Sequence, residues 1–194
     1  MGDYGNVTLK SDDLPTMIAR FAVFDVTINH GEDSLSVRAT PGSRIEIEAP
    51  NGESTSALLH PRFISSSNMT FSIDGLPTMS AGAQLVIRRT GYVGGAGHRI
   101  DVSVPPLTTA IDRDTRTVFG EAPAASVIRV SLGDASATSG FRPSQDESII
   151  ASEAGDYRVV IDPSHKVGPG WRAYASLIAG RIIYVTSFTI PSVK

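Results

Sequence analysis

Cysteine is absent from this chain of 194 residues. Disulfides, thiolate metal sites and a cysteine nucleophile are therefore excluded. Lysine and arginine together number 17 against 20 aspartates and glutamates, which gives a formal net charge of −3. The chain thus lacks the clustered positive charge of a nucleic-acid-binding protein, and we expect no nucleic-acid partner. Aromatic residues make up only 7% of the chain. This share is low for a protein that binds sugars by stacking them on exposed aromatic rings.

Long apolar runs are also missing. No segment approaches the roughly 20 apolar residues that cross a bilayer, because the strongest run, residues 177–185, is interrupted by Gly180 and Arg181. Residues 1–5 lack the basic and apolar regions of a signal peptide. We therefore expect no membrane insertion, and synthesis in the cytoplasm without the usual export signal.

Short β-branched segments separated by Gly, Pro, Asn and Asp fill most of the chain. Residues 22–28 show the alternation, with Phe24 and Val26 on one face and Asp25 and Thr27 on the other. This pattern predicts an all-β fold of antiparallel sandwich type. The one predicted helical turn covers residues 13–20, where Asp13 suits an N-cap and Pro15 a first turn.

A weak internal repeat runs through the chain. Residues 69–74 match 157–162, and the same offset carries 79–82 onto 167–170. Residues 39–47 resemble 121–130, and each half ends in a strand-like run followed by proline. Four matches in one order predict two copies of one unit. The predicted domains are an N-terminal arm or extra strand (1–20), a first sandwich (21–106) and a second sandwich (107–194).

The predicted boundary is the pair Pro105-Pro106, which cannot donate to a sheet and stiffens the backbone. Such a short linker predicts a semi-rigid rod. Each unit alone has a modest core and no disulfide, so we also expect packing between the units or against neighbours.

The second unit resembles the bacterial immunoglobulin-like repeat. The resemblance rests on an opening strand and turn, a second strand, a Gly-Asp-Tyr turn and a Gly-rich turn, at residues 118–123, 127–130, 155–159 and 168–170. Ala124 departs from the glycine usual at the first turn, and the first unit has Ser67-Asn68-Met69 in place of Gly-Asp-aromatic. The resemblance implies tandem Ig-like sandwiches that serve as a spacer or binding module without catalysis.

No constellation of residues predicts an enzyme, a cofactor or a metal site. The four histidines, His30, His60, His98 and His165, occupy turn-like contexts without metal-ligand spacing. No nucleophile elbow is present. The glycines of residues 91–97 precede a strand rather than a helix, which favours a hairpin tip over a phosphate loop. A tip carrying Tyr92, His98 and Arg99 is the candidate binding loop.

Two acidic pairs, Asp12-Asp13 and Asp112-Arg113-Asp114, raise the alternative of a calcium site, with solvated turn charges as the favoured interpretation. Trp171 is expected in the core or between the units, and Tyr157 and Tyr174 are expected in the core.

The N-terminal segment is too apolar for a simple tail, with Leu9, Leu14, Met17 and Ile18 as candidate docking residues. One interpretation makes it an extra strand of the first sandwich. The other makes it an arm that adds a strand to a neighbouring subunit.

These observations favour a non-enzymatic structural or display protein of a phage virion, on the capsid or tail surface, because virions assemble in the cytoplasm. Its partners would be other virion proteins and itself, with a host-surface protein or glycan as a further possibility. The alternative is a bacterial cell-surface adhesion or spacer module that binds a protein or glycan.

Overall fold

In a computed structural model, the regular structure of the residues that can be described consists of strands alone. The described residues are 5–11, 14–21, 24–32, 35–39, 42–49, 52–58, 69–73, 79–90, 97–135, 141 and 143–191. Their first nine strands are β1 Gly5–Ser11, β2 Leu14–Phe21, β3 Asp25–Asn29, β4 Leu35–Ala39, β5 Arg44–Glu48, β6 Ser54–Leu58, β7 Met69–Ile73, β8 Gln84–Thr90 and β9 His98–Ser103. The next seven are β10 Ala110–Asp112, β11 Thr117–Glu121, β12 Val127–Asp134, β13 Gln145–Ile150, β14 Asp156–Val160, β15 Trp171–Ala179 and β16 Ile182–Thr189.

The all-β prediction is confirmed by these sixteen strands. Within the described ranges there is no helix that is long and apolar enough to cross a membrane. The sheets are antiparallel apart from one strand pair, and their side chains alternate between buried and outward positions, as in a sandwich.

The strand order occurs twice along the chain. In the first half, β3-β4-β7 are neighbours in one sheet and β6-β5-β8-β9 form another. In the second half, β10-β11-β14 form one sheet and β13-β12-β15-β16 are neighbours in another. Each strand of the first series thus has a counterpart of the same position in the second, which confirms the internal repeat at the level of topology.

One turn shows the repeat at the level of single hydrogen bonds. Gly82 and Gly170, which the sequence aligned, both have a positive φ, of 85° and 84°. The amide of Gly82 donates to the carbonyl of Val104 at 2.9 Å, and that of Gly170 donates to Ile190 at 3.0 Å. Glycine is needed here because side chains disfavour the left-handed region.

The two halves are joined by a parallel strand pair, which we call the seam. Strand β16 pairs with β3, with Ile182 opposite Val26. The amide of Val26 donates to the carbonyl of Arg181 at 3.0 Å, and the amide of His30 donates to Val185 at 2.8 Å. The seam makes one seven-stranded sheet, in the order β13-β12-β15-β16-β3-β4-β7.

The core also continues across the two halves. Buried side chains of both halves belong to one hydrophobic cluster. Val104 and Leu107, on either side of Pro105-Pro106, are buried, so the predicted linker is packed rather than free. Packing between the halves is therefore as expected, whereas the division at residues 106 and 107 stays a prediction.

The helical turn predicted over residues 13–20 is wrong. Strand β2 occupies residues 14–21 and pairs with β1, with Leu9 opposite Met17. The apolar segment around Leu9 offers a strand partner, and cross-strand pairing outweighs the local cap that Asp13 could provide. The hairpin does not extend the other described sheets, because β1 and β2 form a two-stranded sheet of their own.

The three aromatic residues predicted in the core, or for Trp171 in the core or between the units, occupy different environments. Tyr157 is buried, and Trp171 is half-buried against the core cluster. Tyr174 lies between the buried residues Ala173 and Ala175 and therefore points outward, where its ring meets Phe141 at a centroid distance of 4.6 Å. The core assignment of Tyr174 was wrong because strand alternation at this position gives the inner face to the alanines.

Gly120 lies where the backbone of β11 approaches Thr108 and Tyr157 closely. Burial raises the pKa of Tyr157 to about 12, and its hydroxyl donates to the carbonyl of Thr108 at 2.6 Å. A Cβ on Gly120 would lie 2.0 Å from the Thr108 oxygen and 2.7 Å from the Tyr157 hydroxyl. Only glycine therefore fits at this position of β11.

Replacing Gly120 should destabilise the protein strongly. We expect Gly120→Ala to lower the free energy of unfolding by about 2–3 kcal/mol, because the backbone of Thr108 must move to make room for the added methyl group. For a chain of this size that loss corresponds to a midpoint shift of roughly 4–12 °C. Gly168→Ala is the matched control, since a Cβ there meets nothing within 4 Å. Equal thermal midpoints for the two variants would contradict this account.

Candidate binding surfaces

The predicted binding loop lies between β8 and β9. His98 and Arg99 begin β9, opposite Arg89 and Arg88, and both are exposed. Tyr92 lies outside the described residues. The described end of the loop, at His98 and Arg99, therefore belongs to the β6-β5-β8-β9 sheet, and Arg99 lies on its outward face.

We call this outward surface the charged face. Its position follows from strand alternation, because Ile45 and Ile47 of β5 and Ile87 of β8 are completely buried. The side chains between them point away from the core. Its charged members are Arg44, Glu46, Glu48, Arg88, Arg99 and Asp101.

Two ion pairs connect four members of the charged face. The guanidinium of Arg88 pairs with Glu48 on the neighbouring strand. Arg99 contacts Asp101 at 2.7 Å and donates from both its Nε and its Nη2. The hydrogen bond from Arg99 lowers the pKa of Asp101 and raises its own, so both groups stay charged at neutral pH.

A shallow cavity of 290 Å³ opens at this face. Glu48 and Asp101 contribute its carboxylates, and Gln84 and Ser103 contribute neutral polar groups. The two carboxylates are already engaged by arginines. The cavity therefore presents oxygen acceptors of limited availability.

The Asp112-Arg113-Asp114 segment forms the tight turn between β10 and β11. Oδ1 of Asp112 accepts from the amides of Asp114 and Thr115, at 2.9 and 3.1 Å. Its Oδ2 accepts from the hydroxyl of Thr115 at 2.6 Å. These hydrogen bonds, first of all those from Thr115, lower the pKa of Asp112. The turn geometry accounts for Asp112 without a cation.

Histidine side chains are the other groups that could bind a metal ion. His30 follows β3 and His165 follows β14, whereas His60, like Asp12 and Asp13, lies outside the described residues. Across the ranges described, no three His, Asp or Glu side chains come together to hold a metal ion. His30 is half-buried, which lowers its pKa, and His165 lies 5.9 Å from the ring of Trp171.

A second surface was not predicted from the sequence. Ile150, Val127, Ile178 and Ile183 follow one another across four neighbouring strands on the outer face of the seven-stranded sheet, and we call them the apolar row. Val127 pairs with Ile150, and Ile178 pairs with Ile183. Ile128 pairs with Leu177 in an antiparallel register, so Val127 lies beside Ile178 at the next position. Val127, Ile150 and Ile178 are 59%, 66% and 66% exposed.

The sequence does carry a signal for the apolar row. Each member has an apolar neighbour in its own strand, as in Val127-Ile128, Ile149-Ile150, Leu177-Ile178 and Ile182-Ile183. Adjacent residues of a strand point to opposite faces, so one residue of each of these apolar pairs points away from the core. The register that aligns the outward residues is visible only in the sheet.

The predicted docking residues of the arm are distributed over the hairpin. Leu9 is the cross-strand partner of Met17, whereas Ile18 pairs with Thr8 and Leu14 with Ser11. The side chains of these four residues lie outside what the structure describes, so their role in docking stays a prediction.

Comparison with known proteins gives no family for this chain. No family model matches it, and no curated protein matches it. Among solved structures it is similar to a biofilm associated protein, BSP domain, at 13% identity and a TM-score of 0.33, over 89% of this chain and 30% of that one. It is also similar to trypsin-activated alpha-2-macroglobulin from Escherichia coli, at 13% identity and a TM-score of 0.29, over 87% of this chain and 15% of that one. The chain spans less than a third of either protein, and similarities of this size do not assign it a function.

Proposed function

We propose that the chain is a non-enzymatic surface module that binds a protein partner through the charged face. The observation that carries this proposal is the array of opposite charges formed by the Arg88–Glu48 and Arg99–Asp101 ion pairs on one face of a sheet. Such an array gives a partner a pattern of charge to match. The joined sheets supply a rigid support beneath them.

The composition of the charged face favours a protein over a sugar or a nucleic acid. Among its described residues there is no aromatic side chain on which a sugar ring could stack. Acidic and basic groups are interspersed on this face, so a polyphosphate backbone would meet repulsion from Glu46, Glu48 and Asp101 as well as attraction. A protein surface with complementary charges avoids both difficulties.

We propose no reaction for this module. An enzyme requires titratable groups that converge in a concave site with a free reactive atom. The carboxylates of Glu48 and Asp101 at the cavity are paired with arginines instead.

We place the module on a bacterial cell surface, where a stiff unit can hold a binding face away from the envelope. A virion surface is the competing location. Fractionation of the source culture, probed with an antibody to the full chain, should recover it in the cell-surface fraction. Recovery only in megadalton particles released by lysis would replace the cell surface with the virion, and recovery only in the cytosol would contradict both.

The charged face can be tested with labelled full-length protein and intact source cells. Binding should be saturable, should disappear after protease treatment of the cells, and should weaken at least about tenfold, or about 1.4 kcal/mol, in Arg99→Glu. The reversal removes the partner of Asp101 and inverts one charge of the face.

Arg113→Glu is the matched control, because it makes the same change of net charge at an exposed turn residue of the other half. It should leave binding unchanged. Binding that survives protease treatment would contradict a protein partner, and equal losses in the two variants would contradict the charged face.

A further inference from the structure

We propose that the seam is an acid-sensitive junction, which weakens when the imidazole of His30 takes up a proton. His30 follows β3, and its amide donates to the carbonyl of Val185 at 2.8 Å. This hydrogen bond lies at one end of the seam, and the one from Val26 lies at the other. The inference is independent of the charged face, which lies on a different sheet.

The imidazole of His30 packs against the strand that β3 pairs with. Val26 and Ile28 point inward from β3 and His30 follows at the same spacing, whereas Asp25 belongs to the outward face. The ring meets that of Tyr184 edge-on, at a centroid distance of 6.4 Å. Its Nε2 is buried and has no hydrogen-bond partner among the residues that the structure describes.

Protonation changes what Nε2 requires of its surroundings. A neutral imidazole carries hydrogen on only one of its two nitrogens, so the buried Nε2 of His30 can be the nitrogen without one. The imidazolium carries hydrogen on both nitrogens, which makes Nε2 a buried donor without an acceptor and adds a full charge. Burial accordingly lowers the pKa of His30.

The charged groups around the ring do not compensate an imidazolium. The carboxylate of Glu32, in the turn after β3, accepts from the side-chain amide of Asn29 at 3.0 Å. Tyr184 is the titratable side chain that β16 places against the ring, and burial raises its pKa, so it stays neutral in acid. Residues 79–82, which bond to this turn, carry no titratable side chain. Among the described residues, burial alone therefore sets the direction of the His30 shift.

The sign of the pH dependence follows from this shift. Opening the seam exposes His30 to water and returns its pKa to the ordinary 6.5. The open form then binds a proton more tightly than the closed form, so the seam weakens as the pH falls below 6.5. Above this range the ring is neutral in both forms and has no effect. Asp101 and Asp146, whose pKa values are lowered by their arginine partners, stay charged throughout this window.

The effect extends from the strand pair to the contact between the two halves. The hydroxyl of Tyr184, whose ring packs on the imidazole, donates to the carbonyl of Ser103 in the first half at 3.3 Å. A charge at His30 therefore acts on a backbone bond of the seam and on the side chain that bridges it. Mild acid should loosen the two halves from each other.

Titration of the His30 ring by NMR in full-length protein tests the buried state directly. Its pKa should lie below 6.5, and the ring should titrate near 6.5 in the urea-unfolded chain. A carboxylate close to the ring, such as that of Asp33, which lies outside the described residues, would raise this pKa instead. A His30 pKa at or above the value of the unfolded chain would overturn the proposal.

Hydrogen exchange tests the effect on the seam. Between about pH 7.5 and about pH 5.5, the opening equilibrium constant of the Val26 amide, corrected for intrinsic exchange, should rise at least threefold in the wild-type chain. His30→Phe keeps a ring against Tyr184 but cannot titrate, so it should abolish the rise. His30→Gln should do the same and replaces His30→Phe if that variant does not fold.

His98→Phe is the matched control, because it makes the same substitution at an exposed histidine of β9. It should retain the full rise at the Val26 amide. No rise in the wild-type chain, or an equal rise in wild type and in the His30 variants, would overturn the proposal.

Discussion

The seam between β16 and β3 is the constraint on which the rest of the arrangement depends. Each of these strands would otherwise present an unpaired edge, and unpaired edges invite association with other chains. Parallel pairing satisfies both edges within one molecule, through the amides of Val26 and His30. Side-chain contact reinforces the seam, since the hydroxyl of Tyr184 donates to the carbonyl of Ser103 in the first half at 3.3 Å. The two halves of the chain therefore share one sheet and one core.

Strand alternation gives a sheet one face toward the core and one face toward the solvent. In the β6-β5-β8-β9 sheet the outward residues are charged and cross-paired, which gives a surface suited to a polar partner. In the seven-stranded sheet the outward residues at one end are Ile150, Val127, Ile178 and Ile183, which gives a surface suited to apolar cover. The same periodicity thus places two chemically different surfaces on two different sheets, so that each can serve a separate contact.

Local sequence was sufficient for the strands and for the repeat, because alternation and turn residues such as Gly82 and Gly170 act over a few positions. It was insufficient for residues 13–20, where a capping pattern competes with a strand partner that only tertiary structure supplies. It was also insufficient for the seam, since Val26 and Ile182 are far apart in the chain and no local pattern encodes a parallel pair between them. The candidate loop was placed correctly between two strands of a sheet, but its relation to Glu48 and Arg88 depends on cross-strand register.

Native-state hydrogen exchange of the Val26 and His30 amides tests the seam most directly. Both amides donate across it, at 3.0 and 2.8 Å. If the seam belongs to the cooperative structure, their opening free energies should equal those of the interior strands β12 and β15 to within about 1 kcal/mol. Exchange at the rate of exposed amides, with β12 and β15 still protected, would show that the two halves are separate units and would contradict the account.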